Sequence, residues 1–223
     1  MSGTIPDDRV AELPAELPIF PLTGVLLLPQ AQLPLHIFEP RYLNMVEHAL
    51  GGSRMIGMVQ PRRSDRERLP DDAEVYPTGC AGRIVSFAET EDGRYLITLR
   101  GVCRFRIAAE LPLFAGYRRV AADFSTFRQD LDRTAELRID RDRLLDAARS
   151  YLLAKDATTD WSAIENAPDR TLVNALAMMC PFEPREKQAL LECAGFVEQA
   201  DMLIALLEID ARDHRTADER VRH

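Results

Sequence analysis

The chain has 223 residues, of which 46% are hydrophobic and 29% are charged, and its formal net charge is −8. This is the composition of a globular protein with one large domain or two small ones, and the negative charge argues against a general binder of nucleic-acid backbones, which needs clustered positive charge. No run approaches the roughly 18 consecutive apolar residues of a membrane helix, and the first twenty residues lack the order of a secretion signal, so we expect a cytoplasmic protein that does not bind a membrane.

Both ends of the chain are charged and lack periodicity, and we expect residues 1–14 and 212–223 to be disordered tails. Between them, the first half of the chain consists of short β-rich runs separated by Pro and Gly, which is typical of strands and turns. The candidate strands are Leu17–Leu22, Gln32–Phe38, Arg54–Gln60, Gly79–Ala88, Arg94–Ile107 and Ala115–Phe124. These runs predict a β-rich subdomain over residues 15–128.

Three local patterns connect the candidate strands. The pair Asp92-Gly93 between two β-rich runs predicts a hairpin, because both residue types tolerate positive φ. Pro40 opens a stretch with one apolar face that ends at Gly51, which predicts a helix. Residues 61–77 are mixed in charge and unperiodic, which predicts a mobile surface loop that could act as a lid or be inert.

The second half of the chain has a different periodicity. After about Gln129 the apolar period changes from two residues to near 3.6, which indicates helices. Pro184 stands where a first helical residue is expected and Gly195 just past a helix end, so one of these helices is well delimited. We predict a helical bundle subdomain over residues 129–211. Strands first and helices later indicate the α+β class.

The motifs of common enzymes are absent from the sequence. There is no G-x-x-x-x-G-K-[ST] loop for nucleotide phosphates and no G-x-S-x-G elbow for a serine nucleophile. A Ser-Lys dyad would need a buried lysine, and the chain's two lysines, Lys155 and Lys187, lie in polar stretches where we expect them to be solvated. His36 and His48 lack a metal-ligand spacing. We therefore predict no enzyme activity, no catalytic residue and no metal or other cofactor.

Cys80 and Cys103 fall on the two strands that the predicted hairpin joins, nearly opposite or diagonal to each other. A disulfide or half of a metal site is conceivable there. Diagonal neighbours lie about 7–8 Å apart, however, which is too far for an unstrained bridge, and cytoplasmic thiols stay reduced. Packing in the core is the favoured interpretation of both cysteines.

An arginine-rich region keeps a second function open. Neighbouring strands could combine Arg100, Arg104, Arg106, Arg118 and Arg119 into a basic strip. Such a strip would suit an RNA-binding module, although few aromatic residues interleave with it to stack on bases. The alternative is a solvated strand face whose arginines pair with carboxylates.

Several sequence blocks share their order with a known family. They are Leu17–Leu22, Leu33–Tyr42, Gly79–Val85, Gly101–Ile107 and, in the helical part, Leu172–Leu176. In these blocks the chain resembles the amino-terminal substrate-binding domain of Lon-type ATP-dependent proteases, over roughly residues 17–210. The resemblance implies a twisted PUA-like β-barrel packed against a carboxy-terminal helical bundle, as a domain that stands without ATPase or peptidase modules.

In function, the resemblance implies a non-catalytic module that captures unfolded or tagged polypeptides, or an adaptor to a separate protease or chaperone. Candidate peptide contacts are Leu35, Phe38, Tyr42, Met55 and Met58, because methionine and aromatic side chains adapt to varied apolar partners. The competing interpretation places these side chains in the core. An RNA-binding PUA-like module is the alternative function, although nucleic acid is not the favoured partner.

Overall fold

The computed structural model describes residues 13–62, 70, 72–132, 138–155 and 160–221. The predicted tail over residues 1–14 falls almost entirely outside these ranges, and so do residues 63–69 and 71 of the predicted loop over residues 61–77. The described ends of that loop are hydrogen-bonded to each other: the Arg62 amide donates to the Glu74 carbonyl at 2.8 Å, and the Tyr76 amide to the Gln60 carbonyl at 2.8 Å. Backbone hydrogen bonds therefore hold the two ends of the loop together.

Six strands form one sheet. They are β1 (Glu16–Pro21), β2 (Gln32–Ile37), β3 (Met55–Val59), β4 (Thr78–Glu89), β5 (Tyr95–Phe114) and β6 (Tyr117–Asp123), in the spatial order β2-β5-β4-β3-β1-β6. The long β5 also pairs with β6, which closes β5, β4, β3, β1 and β6 into a ring. β2 lies outside this ring on β5. The predicted strands are thus all present, and β5 continues seven residues past its predicted end at Ile107.

β1 and β3 are parallel, with Ile19 opposite Gly57, and the other strand pairs are antiparallel. A parallel pair needs a crossover, which β2 and the following helix supply. β3 is a continuous apolar run, MIGMV, and is buried along its whole length. The core inside the ring is built from alternate strand residues, mainly Leu17, Ile19, Met55, Val59, Ala81, Cys103, Phe105 and Val120.

The helices follow the predicted order. They are α1 (Pro40–Leu50), a 3₁₀ helix (Ser125–Leu131), α2 (Arg141–Ala154), α3 (Trp161–Asn166), α4 (Asp169–Met179), α5 (Pro184–Glu192) and α6 (Phe196–Val221). α1 has its proline in the first turn, where the missing N–H costs no hydrogen bond. α6 continues through residues 212–221, which were expected to be a disordered tail, because no Pro or Gly interrupts it.

Contacts divide the chain into two compact units. The first, the β unit, comprises residues 1–134 and 181–192 and so contains every strand, α1, the 3₁₀ helix and α5. The second, the helical unit, comprises residues 135–180 and 193–223 and contains α2, α3, α4 and α6. The boundary predicted between residues 128 and 129 assigned α5 to the helical part, whereas its contacts are with the strands. Strands followed by helices confirm the α+β class, and no helix in the described ranges is long and apolar enough to cross a membrane.

Candidate polypeptide-binding surface

An antiparallel arm extends from the ring of the β unit. It consists of β2, residues 84–89 of β4 and residues 95–100 of β5, with β5 in the middle. The arm has two free edges in the part of the chain that the structure describes. β2 pairs with β5 alone. β4 pairs with β3 as far as Arg83, and the Ile84 amide still donates to the Arg54 carbonyl at 2.8 Å, so the free edge of β4 begins after Ile84. Free strand edges are the places where a further strand can add.

One face of the arm, which we call the outer arm face, carries exposed apolar side chains. Leu96 lies opposite His36 on one neighbouring strand and opposite Ala88 on the other, so the three share this face. Phe38 follows His36 on the same face, with ring centroids 5.9 Å apart in an edge-on arrangement. Phe38 is 59% exposed and Leu96 47% exposed. Large apolar side chains that cluster in the open often mark an interaction surface.

The opposite face of the arm is buried near the ring and open at its edge. Tyr95 and Ile97 of β5 are buried there, while Phe87 of β4 is 43% exposed and packs edge-on against Tyr95 at 5.0 Å between ring centroids. Val85 is also exposed, beside an irregularity in the β4–β5 pairing. The free edge of β4 therefore has two exposed apolar side chains of its own.

Helix α1 supports the arm from the ring. The Tyr95 hydroxyl donates to Glu47 Oε1 at 2.6 Å, and this hydrogen bond, with burial and the charge of Glu47, raises the pKa of Tyr95 to about 12. Because a short hydrogen bond to a carboxylate is stronger than a neutral one, the contact fixes the position of Tyr95 on which Phe87 packs.

The five predicted peptide contacts do not form one surface. Phe38 is exposed and Leu35 is half-buried, whereas Tyr42, Met55 and Met58 are buried. Met55 and Met58 belong to β3, which lies between two strands inside the ring, and the Tyr42 ring packs on Phe20. We therefore remove Tyr42, Met55 and Met58 from the proposed contacts. The exposed Phe87 and Leu96 were missed because strand alternation shows which residues share a face but not which face is open.

The predicted arginine strip is interrupted by two buried arginines. Arg104 is buried in an ion pair with Asp130, and Arg118 is buried, donates to the Ala73 carbonyl and pairs with Glu110. Arg100 and Arg106 are exposed and Arg119 is half-buried. Arg104, Arg118 and Arg119 pair with carboxylates, and the five arginines do not form one continuous exposed strip.

The four cysteines are buried, and none of them forms a disulfide. Cys103 lies opposite Ala81 and Cys80 opposite Arg104, so the two thiols are diagonal neighbours, as the hairpin predicted. Burial raises the pKa of both thiols, which favours core packing over thiolate chemistry. In the described ranges no group of His, Cys, Asp and Glu residues is placed to hold a metal ion.

One of the two lysines is placed differently from the expectation. Lys187 was expected to be solvated, but it is only 6% exposed and its ammonium donates to the Gly24 carbonyl at 2.9 Å. Lys155 is partly exposed and pairs with Asp210. Lys187 lies in a polar stretch of sequence, which predicted solvent exposure. The helix that carries it, α5, packs on the strands of the β unit.

Residues 16–208 match the family described as the ATP-dependent protease La (LON) substrate-binding domain. The chain is 25% identical over 209 residues to the Lon protease of Haemophilus influenzae, and this match covers 92% of this chain and 25% of that protein. It is 30% identical over 112 residues to Lon protease 2 of Myxococcus xanthus, and this match covers 50% of this chain and 13% of that protein. It thus spans a quarter or less of these relatives.

Solved structures give the same assignment. The match to the Lon N-terminal domain protein from Xanthomonas campestris has 25% sequence identity and a TM-score of 0.56. It covers 86% of this chain and 96% of that protein. The N-terminal domain of the Mycobacterium avium complex Lon protease has the same fold, with a TM-score of 0.60 at 16% identity over 89% of this chain and 99% of that one. The family match spans most of the chain, and the chain therefore belongs to the Lon substrate-binding domain family.

Proposed function

We propose that this substrate-binding domain captures unfolded polypeptides on the antiparallel arm, at the outer arm face and the free edge of β4. The observation that carries the proposal is that the arm combines an open strand edge with exposed apolar side chains: Val85 and Phe87 on the open edge of β4, Leu96 on the middle strand and Phe38 just past β2. A folded protein keeps its apolar segments inside, so such a surface discriminates in favour of unfolded chains.

Strand addition gives this surface a general mode of recognition. A polypeptide that pairs with the free edge of β4 is bound through its backbone, whatever its sequence, and its alternate side chains fall on the two faces of the arm. Phe87 then contacts side chains on one face, and Ala88 and Leu96 contact those on the other. β2 is less suitable because Pro34 lies in its middle and has no N–H to donate.

A titration by calorimetry tests the proposal, with a permanently unfolded polypeptide and its folded counterpart as ligands. We expect saturable binding of the unfolded form alone. The double variant Phe87→Ser with Leu96→Ser should weaken binding about tenfold to thirtyfold, because each side chain contributes about 1 kcal/mol when its exposed part is covered.

The matched control is Leu113→Ser. Leu113 is 53% exposed, but it lies beyond the arm, in the part of β5 that pairs with β6. It should leave the affinity unchanged. The arm would be ruled out as the binding surface if Leu113→Ser lost as much affinity as the double variant, or if the double variant lost none.

The proposal also concerns the partner proteins of the domain and its cellular location. We infer that the domain binds clients without cleaving them and hands them to a separate protease or chaperone in the cytoplasm, where free thiols such as its four cysteines persist. Casein incubated with the purified protein, without ATP, should stay intact. A pull-down tests the adaptor role, since a stoichiometric protease or chaperone is expected beside the clients.

A further inference from the structure

Helix α5 belongs to the β unit although the chain reaches it from the helical unit and returns there. Residues 135–180 lie in the helical unit, residues 181–192 in the β unit, and residues from 193 onward in the helical unit again. The helical unit is therefore made of two segments whose covalent connection runs through α5.

Two buried side chains of α5 donate to main-chain carbonyls of the β unit. Lys187 Nζ donates to the Gly24 carbonyl at 2.9 Å, and Gln188 Nε2 donates to the Thr78 carbonyl at 3.1 Å. Lys187 and Gln188 are 6% and 2% exposed. Separation of α5 from the strands would break these buried hydrogen bonds and leave their acceptors without these donors, so the contacts resist that separation.

The β unit donates in return to main-chain carbonyls of the α5 segment. Gln60 Nε2 donates to the Pro184 carbonyl at 3.0 Å, at the start of α5, and Arg104 Nη1 donates to the Leu191 carbonyl at 3.0 Å, near its end. The last carbonyls of a helix lack partners within the helix and carry partial negative charge, which makes an arginine there favourable. Both ends of α5 are therefore fastened.

We infer that α5 is a strap that makes the β unit and the helical unit unfold as one cooperative unit. While the strap is bound, the segment that ends at residue 180 and the segment that begins at residue 193 are both anchored to the β unit. If the strap is released, the same 12 residues become a flexible connection, and the spacing of the two segments of the helical unit is no longer fixed by the β unit.

The cysteines provide a reporter in each unit. Cys80 and Cys103 are buried in the β unit, and Cys180 and Cys193 are buried in the helical unit. Pulse alkylation in increasing urea, followed by peptide mass spectrometry, gives the unfolding midpoint at each thiol. Fluorescence of Trp161, the chain's single tryptophan, reports the helical unit from a helix that begins 20 residues before the strap in sequence.

In the wild-type protein we expect the four thiols and the Trp161 signal to share one midpoint. The amine of Lys187 should be acylated only along that same transition, whereas Lys155, which is partly exposed, should react in the native protein. Separate midpoints for the two pairs of thiols would overturn the inference, as would acylation of Lys187 in the native protein at the rate of Lys155.

A pair of variants within α5 tests the strap directly. Gln188→Leu removes its donation to Thr78, while Arg185→Met changes an exposed residue of the same helix. Gln188→Leu should lower the midpoints in both units equally, and Arg185→Met should leave them unchanged. If Gln188→Leu lowers the midpoint of the β-unit thiols but not that of Trp161, the strap does not couple the units. Should Gln188→Leu fail to fold, the wild-type midpoints decide.

Discussion

The ion pair between Arg104 and Asp130 is buried inside the β unit and makes several hydrogen bonds. Arg104 Nε donates to Asp130 Oδ2 at 2.8 Å and Nη2 to Oδ1 at 2.7 Å, while the Arg104 backbone amide donates to Oδ2 at 3.0 Å. The two side chains are 4% and 7% exposed. Burial alone would lower the pKa of Arg104, but the hydrogen bonds and charge of Asp130 hold that pKa above its ordinary value.

Asp130→Asn should therefore cost about 3–5 kcal/mol in the free energy of unfolding, because it leaves a buried guanidinium without its counter-charge. The double variant Arg104→Met with Asp130→Leu should be less destabilised than Asp130→Asn, since neither charge then remains buried. Urea denaturation followed by circular dichroism measures both differences.

An exposed pair supplies the comparison. Arg143 Nε donates to Glu208 Oε1 at 2.8 Å with similar two-point geometry, but the Arg143 side chain is half exposed. Glu208→Gln should cost less than about 1 kcal/mol. If Asp130→Asn costs no more than Glu208→Gln, then burial does not control the strength of these pairs and the reasoning is refuted.

Three further predictions concern single positions. Gly101→Ala should destabilise the fold by about 3 kcal/mol or more in urea denaturation, because its added Cβ would overlap the Leu28 carbonyl. The Glu47 contact raises the pKa of Tyr95 to about 12 in the folded state, whereas an unfolded tyrosine has a pKa of about 10. The stabilisation from this contact is therefore complete below about pH 10 and is lost as the pH rises toward 12. Tyr95→Phe should make the free energy of unfolding less dependent on pH in that range. Asp160→Ala should cost about 1 kcal/mol in thermal unfolding, because it removes the acceptor for two amides at the start of α3.

The alternation of apolar residues and the turn residues predicted most of the sheet correctly. Gly93 has φ +76 in the predicted hairpin, and Pro40 opens α1 where the helix was expected. The extension of β5 from Ile107 to Phe114 was missed, because this stretch is largely exposed and its apolar residues lack a regular period. Its strand structure depends on pairing with β6, which is a long-range contact.

The placement of α5 shows why unit boundaries were harder to predict than elements. Its proline start was recognised from the sequence, but the period of a helix says nothing about the surface on which the helix packs. Lys187 appeared polar and solvated, yet it reaches an acceptor 163 residues away in the chain. Such a contact has no local signature.

The residues that carry the family resemblance mostly stabilise the fold, although Phe38 and Val85 also belong to the proposed binding surface. The carboxylate of Glu39 makes no cap bond to α1 and instead pairs with Arg41 at 3.0 Å, while the Arg41 guanidinium lies over the Tyr42 ring. These contacts are local to the start of α1, and the packing of the Tyr42 ring on Phe20 of β1 joins the helix to the ring. Of the four exposed side chains on the arm, Phe38 and Val85 lie inside the blocks that resemble the family, and Phe87 and Leu96 lie outside them. Core residues are constrained by their packing against one another, so the family blocks identify the fold. A binding surface is constrained by its ligands, and we expect the choice of clients to depend on the arm.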